Sequence, residues 1–68
     1  MLLKELKPVI SADKIIIYLE IAEPILFEND DSGEYYNADK ELFETFGNYE
    51  IEQIYSDDEA INIDLKVL

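Results

Sequence analysis

Sixty-eight residues carry 17 Asp or Glu against five Lys and no Arg, a formal net charge of −12, and there is no His, Cys or Trp. Imidazole acid–base catalysis, thiol nucleophiles, disulfides, and His- or Cys-ligated zinc or haem are therefore excluded. So strong an acidity also excludes direct binding to phosphate backbones or anionic lipid surfaces.

A hydrophobic fraction of 49% and an aromatic fraction of 12% suit a folded chain, read as a single compact domain over residues 1–68 with room for one small core. Acidic self-repulsion limits its stability unless it forms a homodimer. The longest apolar run, around Ile15 to Leu19, is far short of the roughly 20 residues that span a bilayer. The start, Met1 to Lys7, lacks a signal peptide's unbroken apolar stretch. The default expectation is a cytoplasmic protein.

In chain order, Leu2, Leu3, Leu6 and Ile10 recur at helical spacing and predict a short amphipathic helix, weakened by Pro8. Lys14 to Glu20 is a β-branched run and predicts a strand buried on both faces or nearly so. Ile25 to Glu28 predicts a second strand, with Pro24 at its start. Asn29-Asp30-Asp31-Ser32-Gly33 is the strongest turn signal, and Glu34-Tyr35-Tyr36 returns as a strand. Asn37 predicts an N-cap for a helix over Ala38 to Phe46, with Leu42, Phe43 and Phe46 on one face and Gly47 at its C-terminal end. Tyr49 to Tyr55 predicts a strand whose Ile51–Ile54 spacing implies either a bulge or contacts on both faces. Ser56 to Glu59 reads as a hairpin loop. Ile61, Ile63, Leu65 and Val67 then alternate with Asn62, Asp64 and Lys66, a strand with one buried and one wet face. The expected fold is α+β in the order α-β-β-α-β-β: two layers, a small, mainly antiparallel sheet and two short helices.

The charge is segregated. Residues 20–59 hold 14 acids against Lys40 alone, a charge of −13, whereas the two ends together carry +1. Glu50 and Glu52, two apart on a strand, project to one side about 6.7 Å from each other. Glu41 and Glu44 share a helical face. Asp30-Asp31 and Asp57-Asp58-Glu59 project from turns. Such an array can imitate a nucleic-acid backbone and meet a groove lined by Lys and Arg. Tyr18, Tyr35, Tyr36, Tyr49 and Tyr55 can add contact area where exposed. The plainer reading is a solvated, solubilising acidic face.

Glu28, Asp30, Ser32 and Gly33, with Asp39 eleven residues after Glu28, echo the spacing of an EF-hand calcium loop. Glu stands at its first position and Asp at its last, and a strand precedes it, so an Asp/Ser/Gly hairpin turn explains the same residues without metal. Two glycines make no phosphate-cradling loop, and Ser11, Ser32 and Ser56 have no His to activate them. No catalytic site, cofactor or metal is expected, and the chain is read as no enzyme. Phe27, Phe43, Phe46 and the aliphatic strand residues are core by default, while Leu2, Leu3 and Leu6 either close the core or form a dimer contact.

The acidic stretch Glu20 to Glu59, framed by the strands Lys14–Glu20 and Ala60–Val67, resembles the small acidic inhibitor proteins of phages and prophages, of the anti-CRISPR or anti-restriction type. That resemblance implies a phage-derived interaction protein blocking a basic nucleic-acid-binding host protein, such as a CRISPR effector. The expected contact residues are Asp30, Asp31, Glu34, Glu50, Glu52, Asp57, Asp58 and Glu59. One alternative is a small accessory or assembly subunit that binds through the N-terminal leucines and exposed tyrosines. A weak calcium-binding module is the other.

Overall fold

The computed structural model describes residues 1–20, 22–30 and 33–67. Its opening segment is a 3-10 turn, Leu3–Leu6, where a longer helix was expected. Pro8 has no N–H to donate to Lys4 and disfavours helical geometry at Lys7. The chain tightens instead, with the Lys7 N–H donating to the Lys4 carbonyl at 3.3 Å and those of Val9 and Ile10 to the Leu6 carbonyl. Leu3 and Leu6 are buried in the core, while Leu2 is half-buried.

Among the described residues six strands follow: β1 (Lys14–Leu19), β2 (Ile25–Asn29), β3 (Tyr35–Asn37), β4 (Lys40–Glu41), β5 (Glu50–Ser56) and β6 (Ile61–Lys66), with one helix, α1 (Leu42–Phe46), between β4 and β5. They form a single sheet in the order β4-β3-β2-β1-β6-β5. Neighbours are antiparallel except β1 and β6, which run parallel with Ile15 opposite Ile61 and Ile17 opposite Ile63. The sheet is thus mixed. The two-helix α-β-β-α-β-β sandwich is corrected to a six-stranded sheet carrying one 3-10 turn and one five-residue helix.

The largest departure lies at residues 38–41. Asn37 does not cap a helix; its side-chain amide donates to the Leu26 carbonyl. Asn37 pairs with Lys40 and Tyr36 with Glu41, so Ala38 and Asp39 become a two-residue hairpin loop. Ala38 takes a φ of 47°, a conformation that hairpin loops ordinarily assign to Asn or Gly. An Asn-Ala-Asp stretch suits a cap and a turn equally well, and pairing with β3 decides between them.

Helix α1 begins after Glu41 and places Leu42 and Phe46 in the core. Gly47 ends it in right-handed geometry, φ −58°. Glycine is required there for space: a Cβ would overlap the Phe43 carbonyl oxygen and crowd Lys4, whose N–H donates to the Gly47 carbonyl at 2.9 Å. The helix and the 3-10 turn are thereby locked together on one side of the sheet. Leu3, Leu6, Leu42 and Phe46 from these elements seal Ile15, Ile17, Phe27, Ile63 and Leu65 from the strands. Phe46 meets Phe27 and Tyr49 edge-on, with centroids 6.0 and 5.5 Å away. Each fully buried aliphatic or aromatic side chain contributes about 1.5–3 kcal/mol.

Of the two readings of the Ile51–Ile54 spacing, β5 takes the bulge, with its register shift between Ile51 and Gln53. The outer edge of the start of β5 is also paired: the Leu3 N–H donates to the Tyr49 carbonyl and the Ile51 N–H to that of Met1. No helix among the described residues is long and apolar enough to cross a membrane.

Candidate protein interface

Strand direction decides where the acidic residues meet. Strand β2 runs against β1, with Lys14 opposite Glu28, and β6 runs with it. The β2–β3 turn and the β5–β6 turn therefore emerge at the same end of the sheet, beside Asp13 at the entry to β1. The Asn29 N–H donates to the Asp13 carbonyl at 3.0 Å, tying the first turn to that entry. The turns stand three strand spacings apart, about 14 Å.

The first turn is built on Asp30. Its Oδ1 accepts from the Glu34 N–H at 3.0 Å, and its own N–H donates to the Glu34 carbonyl at 2.9 Å. Gly33, at φ 89°, makes the left-handed step that closes the turn. Asp31 lies outside the described residues. Glu34 is partly neutralised by Lys7, whose Nζ is 4.0 Å away.

The second turn is built on Asp57. Its Oδ1 accepts from the Glu59 and Ala60 N–H groups, both at 2.8 Å, and its Oδ2 from the Asn62 side-chain amide at 3.1 Å. Hydrogen bonds from Glu59 and Ala60, then Asn62, hold its carboxyl below the usual aspartate range. Asp57 thus shapes the turn, and Asp58 and Glu59 are left exposed at its tip.

Glu50 and Glu52 do not join this group. They lie at the opposite end of β5, where Glu50 faces Lys66 across the β5–β6 ladder. Glu52 falls in the bulge, which interrupts the simple two-residue alternation expected for the pair. Glu41 and Glu44 do meet. Sharing a hydrogen bond with Glu44, and then its charge, raises the Glu41 carboxyl above the ordinary glutamate value. They sit beside Lys4, Lys7, Glu34 and Phe43 in a surface hollow.

Of the residues in the calcium-loop spacing, Ser32 lies outside the described residues. Asp30 stands before β3 and Asp39 after it, while Glu28 pairs with Tyr36. Among the described residues no three Asp or Glu side chains converge to hold a metal ion.

The tyrosines divide. Tyr35 is buried, its hydroxyl accepting from the Ala12 N–H at 2.8 Å, and Tyr49 packs on Phe46. Tyr18, Tyr36 and Tyr55 belong to the sheet face away from α1, as the pairings Tyr18–Asp64, Glu28–Tyr36 and Tyr55–Asn62 require. Tyr18 stacks on Tyr55 at 6.4 Å and donates its hydroxyl to Asn62 Oδ1 at 2.9 Å. Asn62 was expected on the wet side of β6, yet it is only 1% exposed, held under the two rings and bonded onward to Asp57. No sequence pattern signals this chain of contacts, because it needs the register of three strands at once. Neither a family model, nor a curated protein, nor a solved structure matches this chain.

Proposed function

We propose that this chain is a non-enzymatic, phage-derived inhibitor that acts in the cytoplasm by docking its acidic sheet end on a basic nucleic-acid-binding host protein, such as a CRISPR effector. The observation that carries the reading is the convergence of the Asp30–Glu34 and Asp57–Glu59 turns at one sheet end. Two acidic clusters about 14 Å apart match the spacing of phosphate rows across a major groove about 12 Å wide. Hydrogen bonds from the backbone fix both turns before a partner arrives, so little ordering cost attends docking. Of the eight residues expected at the contact, Asp58 and Glu59 are the exposed pair at a turn tip and form the centre of the interface. Glu50 and Glu52 fall outside it.

The test is a pull-down of the tagged protein from a bacterial lysate at low salt, eluted stepwise with sodium chloride. A nucleic-acid-binding protein should leave at moderate salt and be displaced by added nucleic acid. Asp58→Lys with Glu59→Lys should abolish its capture, since screening and charge reversal act on the same attraction. Capture that survives both the reversals and molar salt overturns the proposal.

A further inference from the structure

Both helical elements pack on one side of the sheet, and no described element lies over the other. That uncovered face carries a strip of apolar and aromatic side chains: Leu26 is 38% exposed, Tyr36 46% and Tyr55 42%, with Ile16 and Tyr18 half-buried between them. Its charged groups are mainly acids. Glu28 lies beside Leu26 on β2 and faces Lys14, while Asp64 lies between Tyr18 and Gln53 in the ladder. Glu20, Glu52 and Asp64 join Tyr18 in lining a hollow at the far end of β1.

We infer that this uncovered sheet face is a docking surface for an arginine-bearing segment of a partner protein. Charge complementarity chooses the occupant. A second copy would bring another −12 onto a face already rimmed by carboxylates, and an uncharged apolar segment would leave those carboxylates to be desolvated without a partner. An arginine-bearing segment satisfies both parts of the surface. Its guanidinium is weakly hydrated, stacks on aromatic rings and binds carboxylates through two parallel hydrogen bonds. Lysine offers a compact, strongly hydrated charge that does the first and last of these less well. The rings are held ready: stacking of Tyr18 on Tyr55 and the Tyr18–Asn62 hydrogen bond fix their positions. Partial burial, with Asp64 and Tyr18 nearby, also raises the Tyr55 phenol above its usual range. This face adjoins the acidic end through the Asn62–Asp57 hydrogen bond, but its apolar and aromatic contacts are its own, and either proposal can fail alone.

Capped hexa-arginine and capped hexa-lysine carry equal charge and separate the two surfaces. NMR titration of the full chain with each peptide at 0.15 M salt reads both affinity and location. Hexa-arginine should bind about fivefold tighter than hexa-lysine, with shifts concentrated on Leu26, Tyr36, Tyr55 and Tyr18. Tyr36→Ser with Tyr55→Ser should remove the preference, and Tyr36→Phe with Tyr55→Phe should keep it. Leu26→Ser should weaken hexa-arginine alone, giving a second readout if the double serine variant does not fold. Asp58→Lys with Glu59→Lys should weaken both peptides equally and leave the preference in place. Equal binding of the two peptides, or shifts confined to the Asp57–Glu59 turn, overturns the inference. Sedimentation of the free protein as a dimer whose formation protects Tyr36 and Tyr55 also overturns it, by naming a second copy as the occupant.

Discussion

Leu26 and Phe27 are consecutive in β2, yet Phe27 is fully buried and Leu26 is 38% exposed. The same contrast runs across the sheet, between Ile15 and Ile16 on β1 and between Ile63 and Asp64 on β6. One face is sealed by Leu3, Leu6, Leu42 and Phe46; the other is finished by tyrosines, an asparagine and carboxylates. The comparison shows how a chain of this size spends a limited apolar supply. The 3-10 turn and α1 are locked to each other through Gly47 and Lys4, so they cover the same side and leave none for the other. The sealed face then carries stability, while the open face is free to carry recognition.

Truncating each member of the Leu26–Phe27 pair gives the largest test. Phe27→Ala should cost about 3–5 kcal/mol, enough to unfold a chain of this length in much of the population. Leu26→Ala should cost under about 1 kcal/mol, within the range of surface substitutions. Urea denaturation followed by circular dichroism measures both. Comparable losses at the two positions would mean that the second face is covered.

The open face has one structural member, Asn62. Replacing it with Ala leaves the Tyr18 hydroxyl without its acceptor and Asp57 without a side-chain donor, and should cost about 1–3 kcal/mol. An Asn62→Ala variant as stable as the parent would reduce that face to surface decoration. On the sealed face, Tyr35→Phe removes the acceptor of the Ala12 N–H while keeping the ring on Phe43. The expected loss is smaller, about 1 kcal/mol.

The acidic end is sharpened by pH. Because the folded-state pKa of Asp57 is lowered, its ionised form stabilises the protein fully above the unfolded value of about 3.9. That stabilisation is lost as pH falls through the folded value. The melting-temperature gap between the parent and Asp57→Asn should therefore be widest above pH 5 and close as pH falls below 3.9. A gap independent of pH would separate the turn's stability from the charge. The smallest effect belongs to Ala38→Gly, which relieves a left-handed alanine and should stabilise by up to about 1 kcal/mol, read as a rise in melting temperature.

Much of the local structure was legible in the residues. The β-branched run at 14–19, the alternation at 61–66, the turn tied by Asp30 and Glu34 and the polar hairpin loop all follow from patterns a few residues long, while the Ile51–Ile54 spacing left a bulge and contact on both faces equally open. Burial of Ile63 and Leu65 follows from the same alternation, and that of Phe27 and Phe46 from their apolar character, whereas Val67, expected on the buried face, is exposed. The helix over Ala38 to Phe46 was not legible as it formed, because Asn37-Ala38-Asp39 satisfies capping and turning equally and only β3 breaks the tie. The parallel pairing of β1 with β6 was equally hidden, since it joins residues more than 40 positions apart.

The candidate interface divides in the same way. That residues 20–59 are acidic and that Asp30 and Asp57 sit in turns was determined by sequence alone, because turn chemistry and charge are local properties. Which carboxylates share a surface was decided by strand order and direction, which bring Asp30 and Asp58 to one end of the sheet and send Glu50 and Glu52 to the other. The burial of Asn62 under Tyr18 and Tyr55 was likewise a tertiary outcome. A polar residue in an alternating strand is wet by default, and only the register of three neighbouring strands gave this one its partners and withdrew it from water.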